Sequence, residues 1–318
     1  MKNLSKLTQE EIELLFWLSK NTNGKFKINA KTGIVDIEGD FICKDFIKYQ
    51  GVVRFGVVTG DFNCYNNKLT SLVGVPQEVG GDFNCSRNKL TSLEGVPQKI
   101  GGDFNCSRNK LTSLVGAPQE IKDDFYCENN KLTSLVGAPQ EVGGGFYCYG
   151  NKLTSLEGAP QVVGGDFICS NNKLTSLVGA PQKVGGDFSC AHNQLTSLVG
   201  APQVVRGDFY CESNRLISLE GAPQVAIGSF YCSDNKLKSL VGAPQKVKQN
   251  FNCYRNPVSE KILQLIFNKM KSGASYPVAL AASKNDITEK DWNLLDKTGL
   301  TPDLEKGGSV LGRFGIFS

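Results

Sequence analysis

The sequence predicts a repeat solenoid, mainly β, in which each 21-residue unit supplies one parallel strand and α-helical segments cap both ends. Three observations lead there. Cysteine recurs every twenty-first residue from Cys43 to Cys253, eleven in all, so an internal repeat organises the chain. Between residues 60 and 256 the unit reads G-D-F-x-C-x-x-N-K-L-T-S-L-x-G-A/V-P-Q-x-V-x, with phenylalanine, asparagine, leucine and proline nearly constant in their columns. Within it D-F-N-C-S alternates, sending Phe83 and Cys85 to one face and Asp82, Asn84 and Ser86 to the other, as in a half-buried strand.

The elements follow in order, as a cap over residues 1–40, a solenoid over 41–256 and a second cap over 257–318. Thr8 and Glu11 form a capping-box pattern before an apolar helical run with Ile12, Leu15, Phe16 and Leu18. Two alternating stretches, 25–29 and 34–37, flank Ala30-Lys31-Thr32-Gly33 and predict a hairpin leading into an imperfect first coil at residues 41–43. In each repeat, the equivalent of Asn88 is expected to hydrogen-bond neighbouring backbone, and Leu90, Leu93 and Ile100 to point inward. Gly95 and Pro97 bend the return path, which should be extended or a short 3₁₀ segment, and Gly101-Gly102 permit close re-entry into the next strand. After Asn256 the period stops. A helix from Pro257 to Gly273 carries Ile262, Leu263, Leu265, Ile266 and Met270, a second starts at Pro277, and a third after Thr288 carries Trp292, Leu294 and Leu295; the tail is irregular. Both caps cover apolar rungs and open strand edges.

The segment F-x-C-x-x-N-x-L fits the strand half of the leucine-rich repeat pattern L-x-L-x-x-N-x-L, with Phe83, Cys85, Asn88 and Leu90 in the diagnostic places. The chain resembles leucine-rich repeat proteins with short units, and its N-K-L-T-S-L-x-G-x-P lettering is similar to repeats of bacterial effectors and of uncharacterised proteins of large tailed bacteriophages. The resemblance implies a leucine-rich repeat coil that binds protein, made inside a bacterial cell and engaging a host or defence protein. An alternative it leaves open is a structural component of a virion or its assembly. Effectors of this style can carry a cysteine-dependent ubiquitin ligase domain, but no cysteine follows residue 256, so that activity is not transferred.

Composition excludes several other classes. With His192 as the only histidine there is no multi-histidine metal site, and without any C-x-x-C pair there is no zinc site. One cysteine per repeat places equivalent thiols on strands about 4.8 Å apart, whereas a disulfide needs Cβ atoms about 3.8 Å apart; the odd count also argues for reduced, buried thiols. A nucleophile–base pair needs two different groups at one place, and the repeat supplies the same group on every rung, so no catalytic residue or cofactor is expected. The Gly-Gly pairs lack a following Gly-Lys-Ser/Thr and are explained by turns. No apolar run approaches the roughly 20 residues of a membrane span. Glu10, Glu11 and Glu13 interrupt any leader-like core, so a reducing, cytoplasmic location is expected.

Charge runs in files. Asp61, Asp82, Asp103, Asp124, Asp166, Asp187 and Asp208 are read as local caps at the strand start in preference to a cation site. Lys68, Lys89, Lys110, Lys131, Lys152, Lys173, Arg215 and Lys236 are read as a solvated rim in preference to a nucleic-acid track, because the net charge is only +4 and no aromatic residues interleave with them. Three outward columns vary from rung to rung, those of Asn84, Ser86 and Arg87, and they hold seven of the nine tyrosines. Interfaces favour tyrosine and arginine, so Arg87, Arg108, Tyr126, Tyr147, Tyr149, Ile168, His192, Tyr210 and Tyr231 are the candidate partner-binding residues. They are expected on a concave strand face, with Ile168 and His192 in a shallow depression between tyrosine walls. The competing reading is that tyrosine simply suits strands.

Overall fold

The computed structural model describes residues 7–238 and 240–257. The chain divides into two compact units, Met1–Asn151 and Lys152–Ser318, with the boundary inside one repeat. The helices expected after Pro257 lie outside the described residues.

The first unit opens with helix α1 (Gln9–Asn21). Thr8 caps it as its sequence requires, its hydroxyl accepting from the Glu11 amide at 3.2 Å while Glu11 accepts from the Thr8 amide at 2.9 Å. The expected apolar face is partly wrong. Phe16 is 66% exposed, and its neighbour Trp17 turns inward instead. Two partners distant in sequence decide this: the Trp17 indole donates to the Lys44 carbonyl at 2.6 Å and its ring stacks on Tyr49 at 4.3 Å. Strands β1 (Lys25–Ile28) and β2 (Ile34–Glu38) form the expected antiparallel hairpin, pairing Lys25 with Glu38 through to Ile28 with Val35. After β3 (Phe41–Ile42) and the single-turn helix α2 (Phe46–Tyr49), strand β4 (Arg54–Val58) pairs parallel with β2.

Regular turns follow, and each contains two strands where the sequence predicted one. The phenylalanine strand, for example Phe83–Asn84, is followed by a two-residue return strand, here Lys99–Ile100. The first stacks in register by phenylalanine, Phe62 on Phe83 and Phe83 on Phe104; the second pairs Val79 with Ile100 and Ile100 with Ile121. The return path is thus extended, as one of its two expected forms. Inside, Phe62 and Phe83 stack at 5.7 Å, and Cys85, Leu90 and Leu93 are fully buried beside them. Each such apolar side chain contributes on the order of 1.5–3 kcal/mol.

The second unit repeats this construction. Its phenylalanine strands pair Phe167 with Phe188, Phe188 with Phe209, Phe209 with Phe230 and Phe230 with Phe251. Its return strands pair Val184 with Val205, Val205 with Ala226 and Ala226 with Val247.

Two devices close each turn. The Asn109 amide group donates to the carbonyls of Cys85, Cys106 and Ser107 at 3.0–3.2 Å, while its oxygen accepts from the Leu90 amide at 3.0 Å. One side chain therefore satisfies backbone in its own turn and in the preceding one, as expected of the asparagine column. The glycine pair meets a steric demand: a Cβ on Gly101 would overlap the Gly80 carbonyl, and one on Gly102 would overlap Asp82 Oδ1. Replacing Asn109 leaves the buried Leu90 amide unpaired, at a cost of about 1–3 kcal/mol, while the Cys85, Cys106 and Ser107 carbonyls keep a second donor in Asn88, Asn130 and the Arg87 amide. Asn109→Ala should lower unfolding free energy by about 1–3 kcal/mol, read as a drop in the urea midpoint.

Candidate binding face on the strand side

The phenylalanine strands present three outward columns, and the backbone fixes how each can be used. The first is the Asn84 column. Where it holds asparagine, the side chain folds back locally: Asn84 Oδ1 accepts from the Ser86 amide at 3.0 Å and the Ser86 hydroxyl at 2.7 Å. Where it holds tyrosine, a ring stands half-exposed. In the first unit Tyr126 and Tyr147 stack at 4.8 Å with planes 7° apart; in the second, Tyr210 and Tyr231 stack at 4.9 Å with planes 3° apart.

These rings rest on the acidic file. Each aspartate accepts through Oδ1 from the amide at the start of the next strand, as Asp82 does from Asp103 at 2.8 Å and Asp187 from Asp208 at 2.7 Å. This is the expected strand-start cap, made to the following turn. The second carboxylate oxygen remains for a donor, and tyrosine supplies one: Tyr126 Oη donates to Asp124 Oδ2 at 2.5 Å and Tyr210 Oη to Asp208 Oδ2 at 2.9 Å. Burial, and then the bonded aspartate, push both phenols up from their ordinary range. Gly145 breaks the aspartate file for a reason visible in the packing, since a Cβ there would strike the Tyr147 ring.

The second and third columns are less free than their variability implied. In the second, Ser86, Ser107, Glu128 and Ala191 are buried, whereas Tyr149 is half-exposed. The third column is left-handed throughout, with φ of 54° at Arg87, 52° at Arg108, 66° at Gly150 and 54° at His192. Its asparagine, glycine, aspartate and histidine choices answer that backbone demand. Arg87, Arg108 and His192 are exposed there. Of the candidate residues, Arg87, Arg108, Tyr126, Tyr147 and Tyr149 belong to the first unit; Ile168, His192, Tyr210 and Tyr231 belong to the second, where Ile168 is half-buried beside Ser189.

Sequence reasoning missed two residues. Glu128 and Glu212 follow the tyrosines in an F-Y-C-E motif that occurs twice, at 125–128 and 209–212. In each glutamate Oε2 is closed off from solvent without a hydrogen-bond partner. Burial raises the Glu128 carboxyl above its ordinary range, opposed by its own amide, by Ser107 and by the Arg108 charge. Burial likewise raises Glu212, opposed by its own amide and by His192.

Elsewhere the strand side is chemically quiet. All eleven cysteines are buried thiols, and desolvation raises Cys64 to about 12. Among the described residues no group of three or more His, Cys, Asp or Glu is arranged to hold a metal ion, and no helix is long and apolar enough to cross a membrane. The lysines of the rim file are exposed.

No protein-family model and no curated protein matches the sequence. Among solved structures the chain is similar to YopM from Yersinia enterocolitica WA-314, at 17% identity and a TM-score of 0.37, over 65% of this chain and 61% of that one. The chain thus spans about three-fifths of that protein's length.

Two outcomes follow from the burial of these groups. Native protein should leave Cys85, Cys106, Cys190 and Cys211 unlabelled by a maleimide that modifies them all in denaturant; rapid native labelling would contradict the inward register. Because folding raises the Glu128 pKa, this group's favourable contribution is complete at pH below the unfolded carboxylate range and is lost as pH rises through the folded value. Glu128→Gln should therefore raise the thermal midpoint at pH 7 by more than at pH 4, as read by circular dichroism.

Proposed function

We propose that the chain is a non-catalytic protein-binding module that docks its partner on the outward strand face of the tyrosine turns, each unit carrying one such patch. The stacked, half-exposed tyrosine pairs carry this reading. Stacking alone would suit the alternative in which tyrosine merely favours strands. The same column, however, holds Asn63, Asn84, Asn105 and Ser189 in turns with the same buried core, so the coil does not need tyrosine there. Anchoring of Tyr126 and Tyr210 through their hydroxyls fixes the rings before a partner arrives, which lowers the entropy cost of binding. The repeat lettering, similar to that of bacterial effectors and tailed-phage proteins, supports a partner met inside a bacterial cell, with the chain acting on a host or defence protein.

Affinity capture from bacterial lysate, followed by measurement against the captured protein, tests the reading. Tyr126→Ala or Tyr210→Ala should cost on the order of 2 kcal/mol of binding. Lys110→Ala with Lys131→Ala should cost much less and act mainly on association rate. Unaltered binding by both tyrosine variants, with folding checked by circular dichroism, would remove the strand face from consideration.

A further inference from the structure

We infer that each tyrosine patch is a receptor for a cationic side chain of the bound protein, arginine above lysine, with Glu128 and Glu212 as the counter-charges. This rests on the binding reading above and adds the chemistry of the anchor.

The argument starts from the glutamates. Glu128 is only 8% exposed, and its Oε2 has no hydrogen-bond partner; Glu212 Oε2 is in the same condition four repeats later. Buried polar atoms in folded proteins are paired almost without exception, so the same unpaired oxygen at two equivalent places asks for a donor from outside the chain. The preceding turn does not supply one to Oε2, although Ser107 stands near enough to the Glu128 carboxyl to lower its pKa. The single proton of the Ser107 hydroxyl goes to Asn105 Oδ1 at 2.7 Å, and the equivalent residue before Glu212 is Ala191, which has no donor. Protonating the acid is the chain's own answer, and it fits the direction in which both carboxyls are pushed.

Charge and ring placement name the donor. In the second unit the strand columns around Glu212 hold Asp187, Asp208 and Asp234, while the three outward columns of those turns contain no lysine or arginine. In the first unit the turns around Glu128 hold Asp103 and Asp124, and the three outward columns of those turns hold one cation, Arg108. Beside these carboxylates stand half-exposed tyrosine rings, the surface a guanidinium prefers. Among the described residues the chain makes this arrangement for itself with both kinds of cation: Arg255 lies over the Tyr254 ring at 5.2 Å and pairs with Asp234, one turn back, at 3.5 Å, and Lys48 lies over the Tyr49 ring at 5.3 Å and pairs with Glu13 at 3.2 Å. A partner's arginine repeats that geometry over the F-Y-C-E tyrosines, drawing the glutamate outward by rotation of its side chain.

Full-length protein carrying ¹³C-labelled tyrosine should be titrated with the blocked peptide Gly-Arg-Gly, its lysine analogue and its glutamate analogue, following the ring resonances by NMR. The arginine peptide should shift Tyr126, Tyr149, Tyr210 and Tyr231 in a saturable way while Tyr65 stays still; the lysine peptide should do so more weakly and the glutamate peptide not at all. Glu128→Gln and Glu212→Gln, which keep the shape and remove the charge, should each weaken binding about tenfold at their own patch, as expected when a charge-assisted hydrogen bond becomes neutral. Equal shifts with all three peptides, or undiminished binding by both glutamine variants, would overturn the inference. The captured protein separates the two levels of the argument. Loss of it by the tyrosine variants and retention by the glutamine variants leaves the binding face standing and the cation receptor refuted.

Discussion

A coil of 21 residues contains so little regular secondary structure that its backbone groups can be satisfied only by the coil before and the coil after, and the asparagine side chain makes that arrangement close. Asn88 accepts from the amides of Asn67 and Leu69 in the preceding turn while donating to Cys64 there and to Cys85 and Ser86 in its own. Asparagine provides an acceptor and a two-proton donor on one short side chain, whereas aspartate would lose the donor and glutamine would overreach. The left-handed residue just before it follows from the same need, because the chain must reverse to swing Asn88 inward after the strand that ends near Ser86. Two-residue strands suffice under this regime, since parallel pairing need carry only the backbone that the asparagine does not reach.

This dependence explains what could be read from the sequence and what could not. The capping box, the hairpin, the buried cysteines and the asparagine ladder are local or strictly periodic, and each shows in the letters. The return strand of Lys99–Ile100 is two residues long, too short for any alternation to mark it. Phe16 and Trp17 are equally apolar, and the choice between them was made by the Lys44 carbonyl 27 residues away and by the Tyr49 ring. The Arg87 column carries a second signal beside its variability: the recurrence of asparagine, glycine, aspartate and histidine is a readable sign of positive φ.

The carboxylates show how one repeat supports two kinds of chemistry. An aspartate in the strand-start file has a fixed duty, an amide on the next turn; at Asp103 and Asp187 burial and then the neighbouring carboxylates raise the carboxyl above its ordinary range, and that amide bond opposes the rise. Glutamate in the second column has no such duty. The side chain that replaces Ser86 or Ser107 there brings a second oxygen that no neighbouring turn was built to satisfy, which is why Glu128 and Glu212 stand apart from every aspartate in the file.

Recognition can therefore change in this architecture without disturbing the core. The inward residues of a turn, Phe125, Cys127, Leu132 and Leu135 for instance, are fully buried, while the outward residue between the first two is tyrosine here and asparagine in the turn before. Tyrosine at that place gains a ready hydrogen-bond acceptor from the structural aspartate two residues earlier, so a single substitution in the outward column yields a ring already fixed in position. The coupling runs the other way where a second ring is added: the aspartate is given up at Gly145, where Tyr147 lies against the backbone and covers Tyr126, and at Ser229 before Tyr231, which stacks on Tyr210. A second aromatic ring in register thus demands a change at two positions, and the chain shows both.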